Sequence, residues 1–176
     1  MNVKIINFVN LVCWEEISSL IDHNRSNLNF INYVDSRSLK ILSFFFGRNT
    51  KLMPGAKFIK SLVDEPNLLV LASGKEKISI SDLVINLPEN IKSFEEIKFS
   101  LSKLKFYDEK IGNLIIGISS PKQNKFALEM ANFFLNQHDI KSDEIIIFCL
   151  GAAVDWFEKN KNKNYFLLFS FFKNSP

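Results

Sequence analysis

The chain is poor in the residues that build disulfide, metal and loop-rich proteins. Its 176 residues include two cysteines, two histidines, six glycines and five prolines. Cys13 and Cys149 lie far apart in apolar stretches, without the neighbours that a disulfide framework or a zinc site needs. The net charge is only +3, which argues against a dedicated nucleic-acid binder. Scarce glycine and proline favour regular helices and strands.

Long hydrophobic runs are also missing. No stretch approaches the roughly 20 apolar residues of a membrane span. The first residues lack the apolar region and small-residue cleavage site of a secretory signal, so we expect a cytoplasmic protein. Phenylalanine is abundant instead, with 18 residues, and predicts an aromatic-rich core in one domain.

Short apolar runs bounded by turn residues predict strands that are covered on both faces. These runs are 3–9, 30–34, 68–72, 114–118 and 145–150. Helical patterns separate them. Strands alternating with helices predict an α/β, Rossmann-like domain with a mostly parallel sheet and helices on both faces.

The helices are predicted from apolar spacing and from capping residues. Asp35 is a good N-cap for one helix and Gly47 a good residue to end it. Ser93 and Glu96 form a capping box. The predicted helices are 14–21, 36–46, 55–63, 93–106, 121–136 and 152–160. Residues 77–90 are ambiguous between helix and strand.

The C-terminal segment combines basic and aromatic residues. Between 157 and 176 four lysines stand against one acid, Glu158, and an aromatic run covers 165–172. Lysines attract anionic headgroups while aromatic rings enter the acyl boundary, so 159–172 would suit peripheral membrane contact. The alternative is a last core element preceded by a solvated lysine turn. We therefore divide the chain into an α/β domain, 1–156, and a basic, aromatic tail, 157–176.

Candidate functional residues are those that directly follow the predicted strands. In parallel α/β sheets, ligands bind at the carboxyl ends of strands, beside helix N-termini. No Gly-x-Gly-x-x-Gly follows any strand, which argues against a dinucleotide-dependent dehydrogenase. The residues at these places are Asn10, Asp35, Ser73, Gly74, Ser119, Pro121, Gln123, Gly151, Ala152 and Asp155.

Two of these segments resemble motifs of a known family. SSPKQNKF at 119–126 and GAAVD at 151–155 resemble the Gly-x-Pro-x-Gln-Glu-Lys and Gly-Gly-x-x-Asp segments of the WecG/TagA/CpsF glycosyltransferases. The likeness extends upstream to Asn10, to Asp35 at its strand end, and to the turn that holds Gly55. Lys163 stands at the place of a family arginine.

The resemblance implies an inverting transfer of an N-acetylmannosamine-type sugar from a UDP-sugar to a lipid-linked acceptor. It implies surface polysaccharide synthesis at the inner membrane face, with no metal, cofactor or nucleic acid; an oligomer is compatible with it. Such a transfer needs a base for the acceptor hydroxyl, and Asp35 stands where the family has one. Residues 1–156 would form the sugar-nucleotide-binding domain. The substrate-binding residues implied are Asn10, Gly55, Ser73, Gly74, Ser119, Pro121, Gln123, Gly151, Ala152, Asp155 and Lys163.

Each role has a plainer alternative. Asp35 would equally serve as a helix N-cap, Gln123 as a solvated amide on a helix face, and Asp155 as a cap or a brace for a loop. Lys57 and Asn124 replace two acidic residues of the family pattern. The second hypothesis is therefore a non-catalytic relative that acts as a sugar-nucleotide binder or a partner subunit.

Overall fold

The computed structural model describes residues 1–9, 28–45, 51–63, 65–73, 78–88, 90–103, 111–118, 122–137 and 142–161. Within these ranges, strands and helices alternate along the chain. The strands are β1 (Asn2–Val9), β2 (Leu28–Val34), β3 (Lys51–Leu52), β4 (Leu68–Ala72), β5 (Leu83–Asn86), β6 (Asn113–Gly117) and β7 (Glu144–Cys149). The helices are α1 (Arg37–Phe45), α2 (Gly55–Leu62), α3 (Phe94–Lys103), α4 (Lys122–Leu135) and α5 (Ala152–Asn160).

The strands form one sheet in the order β3-β2-β1-β7-β6-β4-β5, and every pairing among the described residues is parallel. This confirms the predicted α/β, Rossmann-like fold. All five predicted strands are present, with ends within two residues of those expected. β3 and β5 were not predicted: β3 has only two residues, and β5 lies in the ambiguous stretch 77–90.

Helices cover both faces of the sheet, and β4 shows why its residues are apolar on both sides. Leu69 and Leu71 enter the cluster beneath α3 and α4, whereas Leu68 and Val70 enter the cluster with α2 and α5. Every residue of β4 is buried. Burial of each such side chain stabilises the fold by about 1.5–3 kcal/mol, so a two-sided apolar run specifies a central strand.

The predicted helices agree with the structure where it describes them. The glutamate half of the capping box is present, because the Ser93 N–H donates to Glu96 Oε1 over 3.2 Å; the Ser93 hydroxyl donates to the same oxygen. The predicted helix 14–21 and residues 104–106 lie outside the described residues. α5 continues past the expected domain boundary to Asn160, with Phe157 in the core. Among the described helices, none has the length and apolarity to cross a bilayer.

The strand order places a topological switch point at β1. From β1 the chain moves outward through β2 to β3, whereas β4 and β5 lie beyond β6 on the other side. The chain then returns through β6 and ends the sheet at β7, beside β1. Ligands of open α/β sheets bind at the carboxyl edge of such a point. We call this the carboxyl edge below.

Candidate functional site

Asp35 lies at the carboxyl edge, directly after β2. Its backbone N–H donates to the Val9 carbonyl at 3.1 Å, and its Oδ1 accepts a hydrogen bond from the Gly55 N–H at 2.6 Å. Gly55 is the first residue of α2, and Pro54 before it supplies no side-chain cap. The Asp35 carboxylate therefore satisfies one of the free N–H groups that begin α2.

The predicted N-cap of α1 is wrong. Helix α1 begins at Arg37, and the Leu39 N–H donates to Ser36 Oγ at 3.3 Å, so Ser36 is the capping residue. Asp35 lies one residue earlier, and its side chain accepts the hydrogen bond from Gly55 instead. Its side chain is half-buried, and within the described part of the chain no donor reaches its second oxygen, Oδ2. That oxygen keeps the lone pair that a general base needs.

Gly55 allows α2 to approach the turn between β7 and α5. A Cβ atom at this position would lie 3.3 Å from both Leu150 Cδ2 and Ala153 Cβ, and 3.7 Å from Asp35 Oδ1. Contacts this short are tighter than ordinary side-chain packing, so a larger residue would push the elements apart. The absence of a side chain at 55 thus brings Asp35 beside the GAAVD segment.

Gly151 makes the second close approach, to Gln123. Its φ is +49°, and a Cβ atom there would lie 2.8 Å from Gln123 Oε1. Gln123 is only 3% exposed, so the alternative of a solvated amide on a helix face is wrong. The amide is buried because Gln123 shares the inward stripe of α4 with Ala127 and Met130. The two motif segments that are 28 positions apart in the chain therefore meet through these two residues.

Buried amides form a feature that the sequence reading missed. Asn7, on β1, is 1% exposed. Its Nδ2 donates to Asn32 Oδ1 at 2.9 Å, while its own Oδ1 accepts no hydrogen bond from the part of the chain that the structure describes. Asn124, in the first turn of α4, is 2% exposed, and neither polar atom of its amide has a hydrogen-bond partner among the described residues. Each unsatisfied buried group costs about 1–3 kcal/mol. An asparagine in the apolar β1 run was the available sequence signal for Asn7.

The remaining predicted residues are spread more widely. Ser73 is half-buried and directly follows β4, at the same carboxyl edge. Ala152 is exposed at the start of α5, and Asp155 lies in the first turn of that helix, within the predicted range 152–160. A carboxylate there stabilises the positive end of the helix dipole. The predicted residues outside the described ranges are Asn10, Gly74, Ser119, Pro121 and Lys163.

Two further observations concern metal binding and the position of a groove relative to the candidate site. Across the described residues, no group of three or more histidine, cysteine, aspartate and glutamate side chains could bind a metal ion. A groove of about 720 Å³ runs between α3 and α4, lined by residues such as Phe94, Lys125 and Phe133. None of the predicted site residues lines it, so the candidate site is the carboxyl edge.

No protein-family model, curated protein or solved structure matches this chain. Its function must therefore be inferred from the residues at the carboxyl edge and from the resemblance of its motifs.

Proposed function

We propose that this chain is an inverting glycosyltransferase. It would transfer an N-acetylmannosamine-type sugar from a UDP-sugar to a lipid-linked N-acetylglucosamine acceptor, in surface polysaccharide synthesis at the inner membrane face. The observation that carries the proposal is the Asp35 carboxylate at the carboxyl edge, fixed through Oδ1 by the Gly55 N–H at 2.6 Å. The SSPKQNKF and GAAVD motifs, which meet through Gln123 and Gly151, support it.

The role of Asp35 follows from what an inverting transfer requires. The acceptor hydroxyl attacks the anomeric carbon from the face opposite the diphosphate. The new glycosidic bond forms as the bond to UDP breaks, and the hydroxyl proton passes to the base. With Oδ1 anchored to Gly55, Oδ2 is the oxygen that receives this proton. A positioned general base contributes about 10²–10⁴-fold to such a rate.

The departing UDP needs positive charge near its diphosphate. Helices α4 and α5 both begin at the carboxyl edge, directly after β6 and β7. Each contributes a partial positive charge of about half a unit at its first turn. The buried amides of Asn7 and Asn124 add donors and acceptors close to this edge that the protein itself does not use fully. A ligand would satisfy them only if the first turn of α4 opened, because their polar atoms are buried from solvent.

One observation favours the second candidate, a non-catalytic sugar-nucleotide binder. The Asp35 carboxylate already accepts a hydrogen bond from the Gly55 N–H. The stability of the fold would therefore explain an aspartate at position 35 without any catalytic role. Under this hypothesis, the chain binds UDP-sugars without transferring them.

Asp35→Asn separates the two candidates. An asparagine keeps a carbonyl oxygen for the Gly55 N–H but cannot take up the hydroxyl proton. We expect the variant to bind UDP and UDP-N-acetylmannosamine like the wild type in calorimetric titration. Its transfer to a lipid-linked N-acetylglucosamine acceptor should fall at least 100-fold, in line with the loss of a general base.

Asp143→Asn is the matched control. Asp143 is exposed and precedes β7, at the opposite edge of the sheet, so this variant should keep both binding and transfer. Binding by the wild type without transfer would identify the non-catalytic binder. Full transfer by Asp35→Asn would refute Asp35 as the base. Failure of the wild type to bind either ligand at millimolar concentration would refute both candidates.

A further inference from the structure

Helix α1 exposes a cluster of apolar residues on the side that faces away from the protein. It buries only Leu39 and Ser43, which are one turn apart and face the sheet. A surface helix normally places polar residues on its opposite side. Here that side carries an apolar patch next to the exposed Arg37 and Ser38. The residues of this patch, which we call the α1 face, are Ile41 (59% exposed), Leu42 (41%), Phe44 (78%) and Phe45 (77%).

The α1 face is exposed, and it lines neither of the two grooves described among the residues of this structure. The rings of Phe44 and Phe45 lie 6.3 Å apart at 72°, in an edge-on arrangement on the outside of the helix. Two adjacent phenylalanines that are three-quarters exposed form the kind of apolar patch that marks an interaction surface. Protruding rings enter a soft or concave partner, since they offer no pocket of their own.

Positive charge surrounds this face. Arg37 and Lys40 are exposed on α1 itself, and Lys51 is exposed on the edge strand β3, which α1 contacts. Lys57 and Lys60 are exposed on α2. Across the described residues of 28–63 these five cations stand against one anion, Asp35, which gives a net charge of +4. The whole chain carries only +3, so this part is the more basic.

The positive charge around the α1 face favours some binding partners over others. A second copy of the chain would bring the same positive charge to the interface, and the tail from 157 is itself basic. Like charges in contact are unfavourable, so both occupants would meet repulsion. An anionic partner is favoured, and a lipid surface accepts protruding aromatic rings without a preformed pocket.

We propose that the α1 face binds anionic phospholipid membranes. Phe44 and Phe45 enter the acyl boundary, while Arg37, Lys40 and Lys51 meet the headgroups. A nine-residue helix is about 14 Å long and lies flat in the interface. This surface is separate from the predicted tail contact at 159–172, and vesicle binding is measured without donor or acceptor. Its outcome is therefore independent of the proposed reaction.

The proposal has one consequence that does rest on the proposed function. α1 begins two residues after Asp35. A membrane-bound α1 therefore holds the carboxyl edge close to the bilayer surface, where a lipid-linked acceptor presents its sugar.

The test is flotation of the full chain with vesicles. We expect the wild type to bind 7:3 phosphatidylcholine–phosphatidylglycerol vesicles at least tenfold more tightly than pure phosphatidylcholine vesicles, and to be released by salt. Phe44→Ser/Phe45→Ser should weaken binding at least tenfold. Arg37→Gln/Lys40→Gln should weaken it by about fivefold per cation removed.

The chain offers matched controls for both changes. Phe99→Ser removes a phenylalanine that is 63% exposed on α3, and Lys125→Gln removes an exposed cation on α4. Both should bind like the wild type. All of these residues are exposed on helices, so the variants should keep the far-ultraviolet circular dichroism of the wild type.

Fluorescence quenching tests directly whether α1 enters the bilayer. Phe45→Trp adds an indole to the α1 face, and lipids with brominated acyl chains should quench its fluorescence beyond the quenching seen in the wild type. Three results would overturn the proposal: vesicle binding unchanged in Phe44→Ser/Phe45→Ser, no added quenching in Phe45→Trp, or no vesicle binding by the wild type. Binding of polyglutamate through the same residues, without vesicle binding, would identify an acidic protein partner instead.

Discussion

Replacement of Gly151 by alanine tests the contact that joins the two motifs. Gly151 has φ +49° and ψ −132°, a conformation that residues with a side chain rarely adopt. Holding alanine there costs about 1–3 kcal/mol. The new Cβ atom would also lie 2.8 Å from Gln123 Oε1, so the buried amide has to move. Displacing a buried side chain in this way costs about 1–3 kcal/mol more, as is typical of overpacking.

Together these terms predict that Gly151→Ala lowers the free energy of unfolding by about 2–6 kcal/mol. Domains of this size have a total stability of about 5–15 kcal/mol, so the loss is large. Urea denaturation followed by circular dichroism measures it, provided that the m-value stays constant. Gly112→Ala is the control: Gly112 has no atom within 4 Å of its Cβ position and no positive φ. That variant should be unchanged or slightly more stable.

A double-mutant cycle separates the two terms. Gln123→Ala removes the amide that the new Cβ atom would strike, so the second change should cost less in its presence. We expect a coupling of about 1–2 kcal/mol between positions 123 and 151. Zero coupling would refute the proposed contact between the motifs. A Gly151→Ala variant within 0.5 kcal/mol of the wild type would refute the argument from backbone conformation as well.

Two further predictions concern buried polar groups. Asn124→Leu should raise the free energy of unfolding by about 1 kcal/mol. It replaces an amide that has no partner among the described residues by an apolar side chain with the same number of heavy atoms; a loss of stability in urea denaturation would show that the amide is satisfied. Glu158 is 9% exposed, accepts a hydrogen bond from the Ser79 N–H at 2.7 Å and pairs with Lys161. Glu158→Ala should therefore cost about 2 kcal/mol. Glu95→Ala, which breaks the exposed pair with Lys98, should cost less than 1 kcal/mol, and equal losses in the two variants would contradict this.

The central part of the fold was predictable because its signals are local. A run such as 68–72 is apolar at every position, which only a strand covered on both faces requires. β5 has no such run: Leu83 and Val84 are half-exposed and Asn86 is exposed. Because β5 lies at the edge of the sheet, it buries few residues, and its hydrophobic pattern is therefore weak. The two-residue β3 is too short to show any period.

The errors at the site arose where distant residues decide between local options. Asp35 and Ser36 are both good N-caps, and the sequence around them does not choose between them. The Gly55 N–H decides between them, because it donates a hydrogen bond to Asp35 Oδ1. Ser36 then caps α1 by accepting a hydrogen bond from the Leu39 N–H. The burial of Gln123, by contrast, could have been predicted, since it shares one helix stripe with Ala127 and Met130.

Packing also separates the motif residues that the fold needs from those that only a ligand would need. Gly55 and Gly151 are explained by close approaches to Ala153 and Gln123, so a folded chain without activity would keep them too. The unused groups are different. Within the described residues, Asn7 Oδ1 and both polar atoms of the Asn124 amide have no hydrogen-bond partner, so their burial lowers stability. The second oxygen of Asp35 likewise receives no hydrogen bond from the described residues. If those groups exist for a ligand, replacing Asn124 should gain stability and lose UDP binding in the same variant. A gain in stability with full UDP binding would leave Asp35 as the single residue on which the proposed reaction depends.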